Sequence, residues 1–197
     1  MLALVTGLFA GFCAARNAAA FAPAVVEVSA PTPLTSGAQY DRNPVFLHTS
    51  AGTELLFFAR STDPCARNAA CNADAATYTP QALRSTDGGG TWSAPTQIAD
   101  RTGLNVNFYG RTIAAAQDGA GTIWVFWASG GNNGPLYVFT STNDGVSFAP
   151  QAALSDQPYF NVEVVTNASG QLWLFYEDGG GGANASGSYV RSYTGAA

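Results

Sequence analysis

Arg42 and Arg111 each stand ten residues before a glycine, Gly52 and Gly121, that opens the same local pattern. A guanidinium grips a carboxylate through two parallel hydrogen bonds, which the rounder charge of a lysine does not. All 8 basic residues of this chain are arginines. Two of them at one pole of a fold would form a clamp for an acidic ligand; the plainer alternative is that each caps a strand. Other chemistry is thinly supplied. His48 is the single histidine, and no second cysteine pair accompanies Cys65 and Cys71, so a zinc site is not expected. Cys65 and Cys71 lie in an Ala/Asn-rich stretch, where an oxidising compartment would close them into a small disulfide loop and a reducing one would leave two thiols. Gly179 to Gly182 reads as a loop rather than a phosphate cradle, because no helical pattern follows to supply a dipole. Asn167 and Asn184 open glycosylation tripeptides that matter only in a eukaryotic secretory pathway. No cofactor is expected.

The elements that must position these residues are visible as an internal repeat. Three segments align without gaps on Gly52, Gly121 and Gly170: RNPVFLHTSAGTELLFFAR from Arg42, RTIAAAQDGAGTIWVFWAS from Arg111, and FNVEVVTNASGQLWLFYED from Phe160. An apolar run, a glycine turn and a nearly continuous apolar run predict an inner hairpin buried on both faces, since a strand wetted on one face would alternate. A second signal follows the first two hairpins. Ser85-Thr86-Asp87-Gly88-Gly89-Gly90-Thr91-Trp92 and Ser141-Thr142-Asn143-Asp144-Gly145-Val146-Ser147-Phe148 both fit S-x-[DN]-x-G-x-[ST]-[WF]. In such a turn the Asp or Asn side chain bonds backbone amides, the glycine takes a positive φ and the aromatic folds back on the hairpin. Four strands per unit and a period near 50 residues predict the blades of an all-β propeller.

The turn motif resembles the Asp box of the sialidase, or BNR-repeat, β-propellers, and the segment from Arg42 to Arg60 is similar to the opening blade of that family. The resemblance runs from about Tyr40 to the C-terminus. It implies roles residue by residue. An arginine in an R-I-P motif of the first blade binds the sialic acid carboxylate as one of three; Arg42 matches it, with Asn43 in place of the isoleucine. Arg111 rests on the internal alignment alone. Arg60 matches a second family arginine, after which a loop carries the aspartate that serves as general acid and base. Asp74 is the preferred match because it keeps its distance to Ser85, and Asp63 is the alternative because it follows Arg60. The family nucleophile is a tyrosine assisted by a glutamate, since a carboxylate would be repelled by the substrate's own. No spacing picks out Glu163, Glu177 or any tyrosine for those roles. The box residues Ser85, Asp87, Gly89, Trp92, Ser141, Asn143, Gly145 and Phe148 are expected to be structural, on the side away from the site.

The 197 residues carry a net charge of −5, which disfavours nucleic acid and anionic membranes as partners. Only 11% are charged, which excludes long charge-laced helices and coiled coils. Leu2–Ala15 is an apolar run too short to span a bilayer; with the small residues to Ala20 it reads as a signal peptide over 1–20, although a basic start is missing. A linker over 21–39 and a partial propeller over 40–197 follow, with blades near 40–105, 106–156 and 157–197. A third turn motif would end its aromatic at position 199. Two blades and most of a third do not close a ring, so the sequence reads as part of a longer protein with further C-terminal blades, or alternatively as a self-associating half propeller. The expected function is that of a secreted or periplasmic exo-α-sialidase acting on sialylated or other acidic glycans. The alternatives are a non-catalytic glycan- or protein-binding propeller and a hydrolase or lyase for another acidic sugar.

Overall fold

Recurrent glycine turns divide the chain into hairpins, and a computed structural model shows those hairpins as the inner halves of three antiparallel sheets. Residues 30–62, 77–99, 103–104, 112–128, 135–154, 159–178 and 187–193 are described. The first sheet runs β1 (Tyr40–His48), β2 (Glu54–Ser61), β3 (Thr77–Ser85) and β4 (Thr96–Gln97), with β5 (Gly103–Leu104) paired to β3. The second runs β6 (Ile113–Gln117), β7 (Ile123–Ala128), β8 (Leu136–Ser141) and β9 (Ala149–Pro150). The third has β10 (Tyr159–Thr166), β11 (Leu172–Asp178) and β12 (Gly187–Tyr193). No helix occurs among the described residues.

The three inner turns are built alike. Thr49, Asp118 and Asn167 each donate a backbone N–H to the carbonyl of the residue four positions on, and the side-chain oxygen of each accepts that residue's amide in return. Gly52, Gly121 and Gly170 adopt φ of 82°, 86° and 80°, a region that a Cβ disfavours. This is why the three segments align without gaps on those glycines.

Packing follows the two-residue period of the strands. Leu55, Phe57 and Ala59 of β2 meet Ile123, Val125 and Trp127 of β7 in one core cluster. Trp124, Phe126 and Ala128, on the opposite face of β7, meet Leu172, Leu174 and Tyr176 of β11 in a second. All of β7 is buried, as a strand between two sheets should be. Fully burying a side chain such as Phe126 stabilises the fold by roughly 1.5–3 kcal/mol. The expectation of burial on both faces holds for β7 and fails for β10 and β11. There Val162, Val164, Leu172 and Leu174 are buried whereas Val165 and Phe175 are exposed, because the second sheet covers only one side. The innermost strands stand side by side, β1 against β6 and β6 against β10. A groove of about 270 Å³ runs between them, lined by Val45, Phe46, Ala114, Ala115, Glu163 and Val164 among others.

Candidate functional site

Register fixes which residues share an end of the sheets. Asp41 pairs with Arg60 and Arg42 with Ala59, at the start of β1 and the end of β2. Glu54 pairs with Ser85, which sets the β3–β4 turn beside the β1–β2 turn at the other end. Ile123 likewise pairs with Ser141. Arg42 and Arg60 therefore occupy one end, and Asp87 and Asn143 the opposite one.

Arg42 is held by aromatic rings. Its guanidinium carbon lies 4.4 Å from the centre of the Tyr40 ring and 5.7 Å from that of Tyr78, and Nη2 donates to Tyr40 Oη at 2.9 Å. Stacking keeps the plane of the cation fixed, as recognition of a planar anion requires. Beside it, Arg60 donates from Nε and Nη2 to the two carboxylate oxygens of Asp41, at 2.7 and 2.8 Å. The hydrogen bonds that Arg60 donates to Asp41, more than the charge of Asp41, hold the Arg60 pKa above the ordinary arginine value against the opposing effect of burial. One edge of the Arg60 fork is thus filled from within the chain. Its guanidinium also lies 5.1 Å above the Phe58 ring. Arg42, Asp41, Leu56 and Phe58 line a pocket of about 150 Å³ together with Leu34, Thr35 and Pro44.

Asn43 explains the departure from R-I-P. Its φ is +52°, at a register shift between Arg42 and Val45. Asparagine tolerates that conformation and a β-branched isoleucine does not. Asn161, at the same place in the third repeat, has φ +46° at an equivalent shift. Asn43 Nδ2 also donates to Thr112 Oγ1 at 3.0 Å, joining the first sheet to the second at the corresponding repeat position.

The polar residues of both turn motifs have the geometry their sequences predict, and the aromatic folds back on its hairpin in the first motif but not in the second. Ser85 Oγ accepts from Gly89 N, and Asp87 accepts from Thr91 N and Thr91 Oγ1. These Thr91 bonds, with that from Ser85, lower the Asp87 pKa to about 2. Ser141 and Asn143 repeat the arrangement with Gly145 and Ser147. Trp92 Nε1 donates to Gly89 O, whereas Phe148 reaches across to the first sheet and meets Phe57 edge-on, with ring centres 5.8 Å apart.

Asp144, a variable position of the second motif, was not singled out by the sequence. It accepts from Thr49 Oγ1, Thr53 Oγ1 and Arg84 Nη2, and Arg84 Nε donates to its carbonyl. Burial pushes its pKa up, but the Thr53 and Thr49 hydroxyls and Arg84 together leave it below the ordinary carboxylate value. Asp41, Tyr40 and Tyr78 were likewise missed. A Tyr-Asp directly before Arg42 was the available signal for two of them. Asp63, Cys65, Cys71, Asp74, Arg111, Gly179–Gly182, Asn184 and the segment 1–20 lie outside the described residues. Glu163 is exposed on β10, and Asn161 donates to Glu177 on β11.

No protein-family model matches this sequence, and no curated protein does. Solved structures do resemble it. A protein of unknown function from Dyadobacter fermentans superposes with a TM-score of 0.56 at 17% identity, over 78% of this chain and 47% of its own. The Hadza microbial sialidase gives 0.50 at 16% identity, over 77% of this chain and 32% of its own. An endo-arabinase from Bacteroides thetaiotaomicron gives 0.52 at 11% identity, over 83% and 59% respectively. This chain thus spans between about a third and three-fifths of the length of these neighbours, and the likeness establishes its fold: antiparallel sheets of β-propeller type.

Proposed function

We propose that this chain is part of an exported sialidase-like glycoside hydrolase of the exo-α-sialidase type, in which Arg42 grips the carboxylate of a terminal sialic acid. The observation that carries this reading is the placement of Arg42 at the start of an innermost strand. There it is stacked on Tyr40, close to Tyr78, and at the end of the sheets away from both turn motifs. A sialidase and an arabinase among the neighbours support a sugar as the substrate.

In this reading Arg111 adds a second cation, and Arg60 contributes through the part of its fork that Asp41 does not fill. Asp74, or else Asp63, protonates the leaving oxygen and later activates water. The nucleophile and the rest of the arginine cluster come from further C-terminal blades. Cys65 and Cys71 form a disulfide within the acid-bearing loop of the exported protein, and residues 1–20 direct its export.

The Arg60–Asp41 pair favours a second reading, a non-catalytic propeller that binds acidic glycans. An arginine answered by an internal carboxylate has less to offer a transition state. A third substrate class, another acidic sugar such as a uronate, would use the same Arg42 chemistry. The test is a titration with N-acetylneuraminic acid, its methyl ester and galacturonate, followed by NMR. Binding of the free acid that vanishes with the ester, and with Arg42→Met, is the expected result. Equal binding of acid and ester would overturn the assignment of Arg42, and tighter binding of galacturonate would redirect the substrate to uronates.

A further inference from the structure

The innermost strand of the first sheet slips by one residue just after Arg42. From His48 back to Val45, each residue of β1 pairs with one farther along β2, ending with Val45 opposite Phe57. Continued without a break, that register would set Arg42 opposite Arg60, on the face of Leu56 and Phe58. Instead Arg42 lies opposite Ala59, and Asp41 lies opposite Arg60. Successive side chains of a strand point to opposite faces, so a one-residue slip carries every side chain beyond it to the other face.

The slip has two consequences at this end of the sheet. It puts Arg42 on the face of Val45, Leu47 and Ala59, which packs in the first core cluster with Tyr40 and Tyr78. Those two rings are the ones its guanidinium lies against. It also gives Arg60 a carboxylate as its cross-strand partner, where an unbroken register would oppose two arginines at a cost in stability. Asn43 absorbs the slip with its φ of +52°. Its Nδ2 donates to the hydroxyl of buried Thr112, whose carbonyl accepts from Ala128 N at 2.7 Å, so the bulge is pinned to the second sheet. In the third sheet Asn161 makes the same slip at φ +46°, after Phe160. The bulge therefore belongs to the repeat, and the first sheet places an arginine on it.

We propose that Asn43 is a positioning residue, whose left-handed bulge turns Arg42 onto its aromatic rings and so toward the carboxylate of the ligand. The proposal rests on the reading of Arg42 as a carboxylate clamp and adds to it the device that aims the clamp. Asn43 acts through Arg42 and needs no contact with the sugar. The backbone conformation is the active part; the bond to Thr112 supports it.

The test follows two quantities by NMR: the side-chain Nε–Hε resonances of Arg42 and Arg60 in the ligand-free chain, and the affinity for N-acetylneuraminic acid. It compares wild type with Asn43→Ile, Asn43→Gly, Thr112→Val and Arg42→Met. Glycine accepts φ +52° and isoleucine does not, while Thr112→Val removes the supporting bond and leaves residue 43 unchanged. Asn43→Ile should move both resonances, because Arg42 leaves the Tyr40 ring and Arg60 loses its bond to Asp41, and should weaken binding about tenfold. Asn43→Gly and Thr112→Val should keep both resonances and bind within about threefold of wild type, a rescue that follows backbone conformation rather than stability. Where wild type binds the acid and Arg42→Met does not, unmoved resonances or unchanged affinity in Asn43→Ile would overturn the positioning role and leave the clamp standing. A loss in Asn43→Gly as large as that in Asn43→Ile would do the same. A wild type that does not bind, or Arg42→Met that binds equally, would overturn the clamp and the proposal with it. Asn43→Ala repeats the comparison if Asn43→Ile does not fold.

Discussion

Removal of Asp144 should loosen the first sheet from the second, and the structure sets the size of the effect. The carboxylate accepts from Thr49 Oγ1 at 2.8 Å, from Thr53 Oγ1 and from Arg84 Nη2 at 2.9 Å, with its side chain 26% exposed. Charge-assisted hydrogen bonds contribute about 1.5–3 kcal/mol each at most, and residual water access together with shared partners reduces the sum. Asp144 also has φ +56°, so alanine would add strain of about 1 kcal/mol that glycine would not. We therefore expect losses of roughly 1 kcal/mol for Asp144→Asn, which keeps an acceptor, 2 for Asp144→Gly and 3 for Asp144→Ala, measured by urea unfolding at pH 7. Combined with Arg84→Met in a double-mutant cycle, Asp144→Gly should show a coupling of about 1 kcal/mol. A carboxyl whose folded pKa is depressed stabilises above its unfolded pKa and loses that contribution as pH falls through the folded value. Wild type and Asp144→Asn should accordingly converge in acid, below the ordinary aspartate value of 3.8. If Asp144→Gly lies within about 0.5 kcal/mol of wild type, or the cycle is additive, the apolar faces alone hold the two sheets and the latch is refuted.

Four other outcomes are expected, two from this geometry and two from the proposed function. Asp87→Ala should lower thermal stability without altering ligand binding; because the folded pKa is depressed from 3.8 to about 2, the difference from wild type should shrink as pH falls through that window. Asn43→Ile, which installs the isoleucine of an R-I-P motif, should destabilise by about 1–2 kcal/mol in denaturant, since isoleucine resists φ +52° and loses the bond to Thr112, whereas Asn43→Gly should be milder. The 197-residue chain alone should turn over little or no fluorogenic sialoside, because the nucleophile is proposed to lie on further blades; robust turnover would contradict that placement, and Asp74→Ala in an active, longer protein should abolish most of the rate.

The periodic parts of the fold were legible in the sequence. Glycines with positive φ and side-chain-capped turns are local devices, so Gly52, Gly121, Gly170 and both S-x-[DN]-x-G motifs carried their structure openly. Pairings made across sheets left weaker traces. Asp144 lies at a position its own motif leaves variable, and its partners Thr49 and Thr53 are more than 90 residues away. Asn43 looked like a defect in a borrowed pattern until its backbone conformation supplied the reason. Arg42 could be singled out from its repeat position, but its stacking on Tyr40 and the diversion of Arg60 to Asp41 depend on rotamers that spacing does not encode.

Mapping a bound sialic acid by NMR tests the central claim most directly, because it asks where on the sheets the sugar lands. With N-acetylneuraminic acid at about millimolar concentration, the expected strength for one arginine–carboxylate clamp, shifts should gather on Tyr40, Arg42, Arg60 and Tyr78 and vanish in Arg42→Met. Shifts gathered instead at the glycine-turn end, around Gly52, Asp87 and Asn143, or shifts that survive Arg42→Met, would contradict the account.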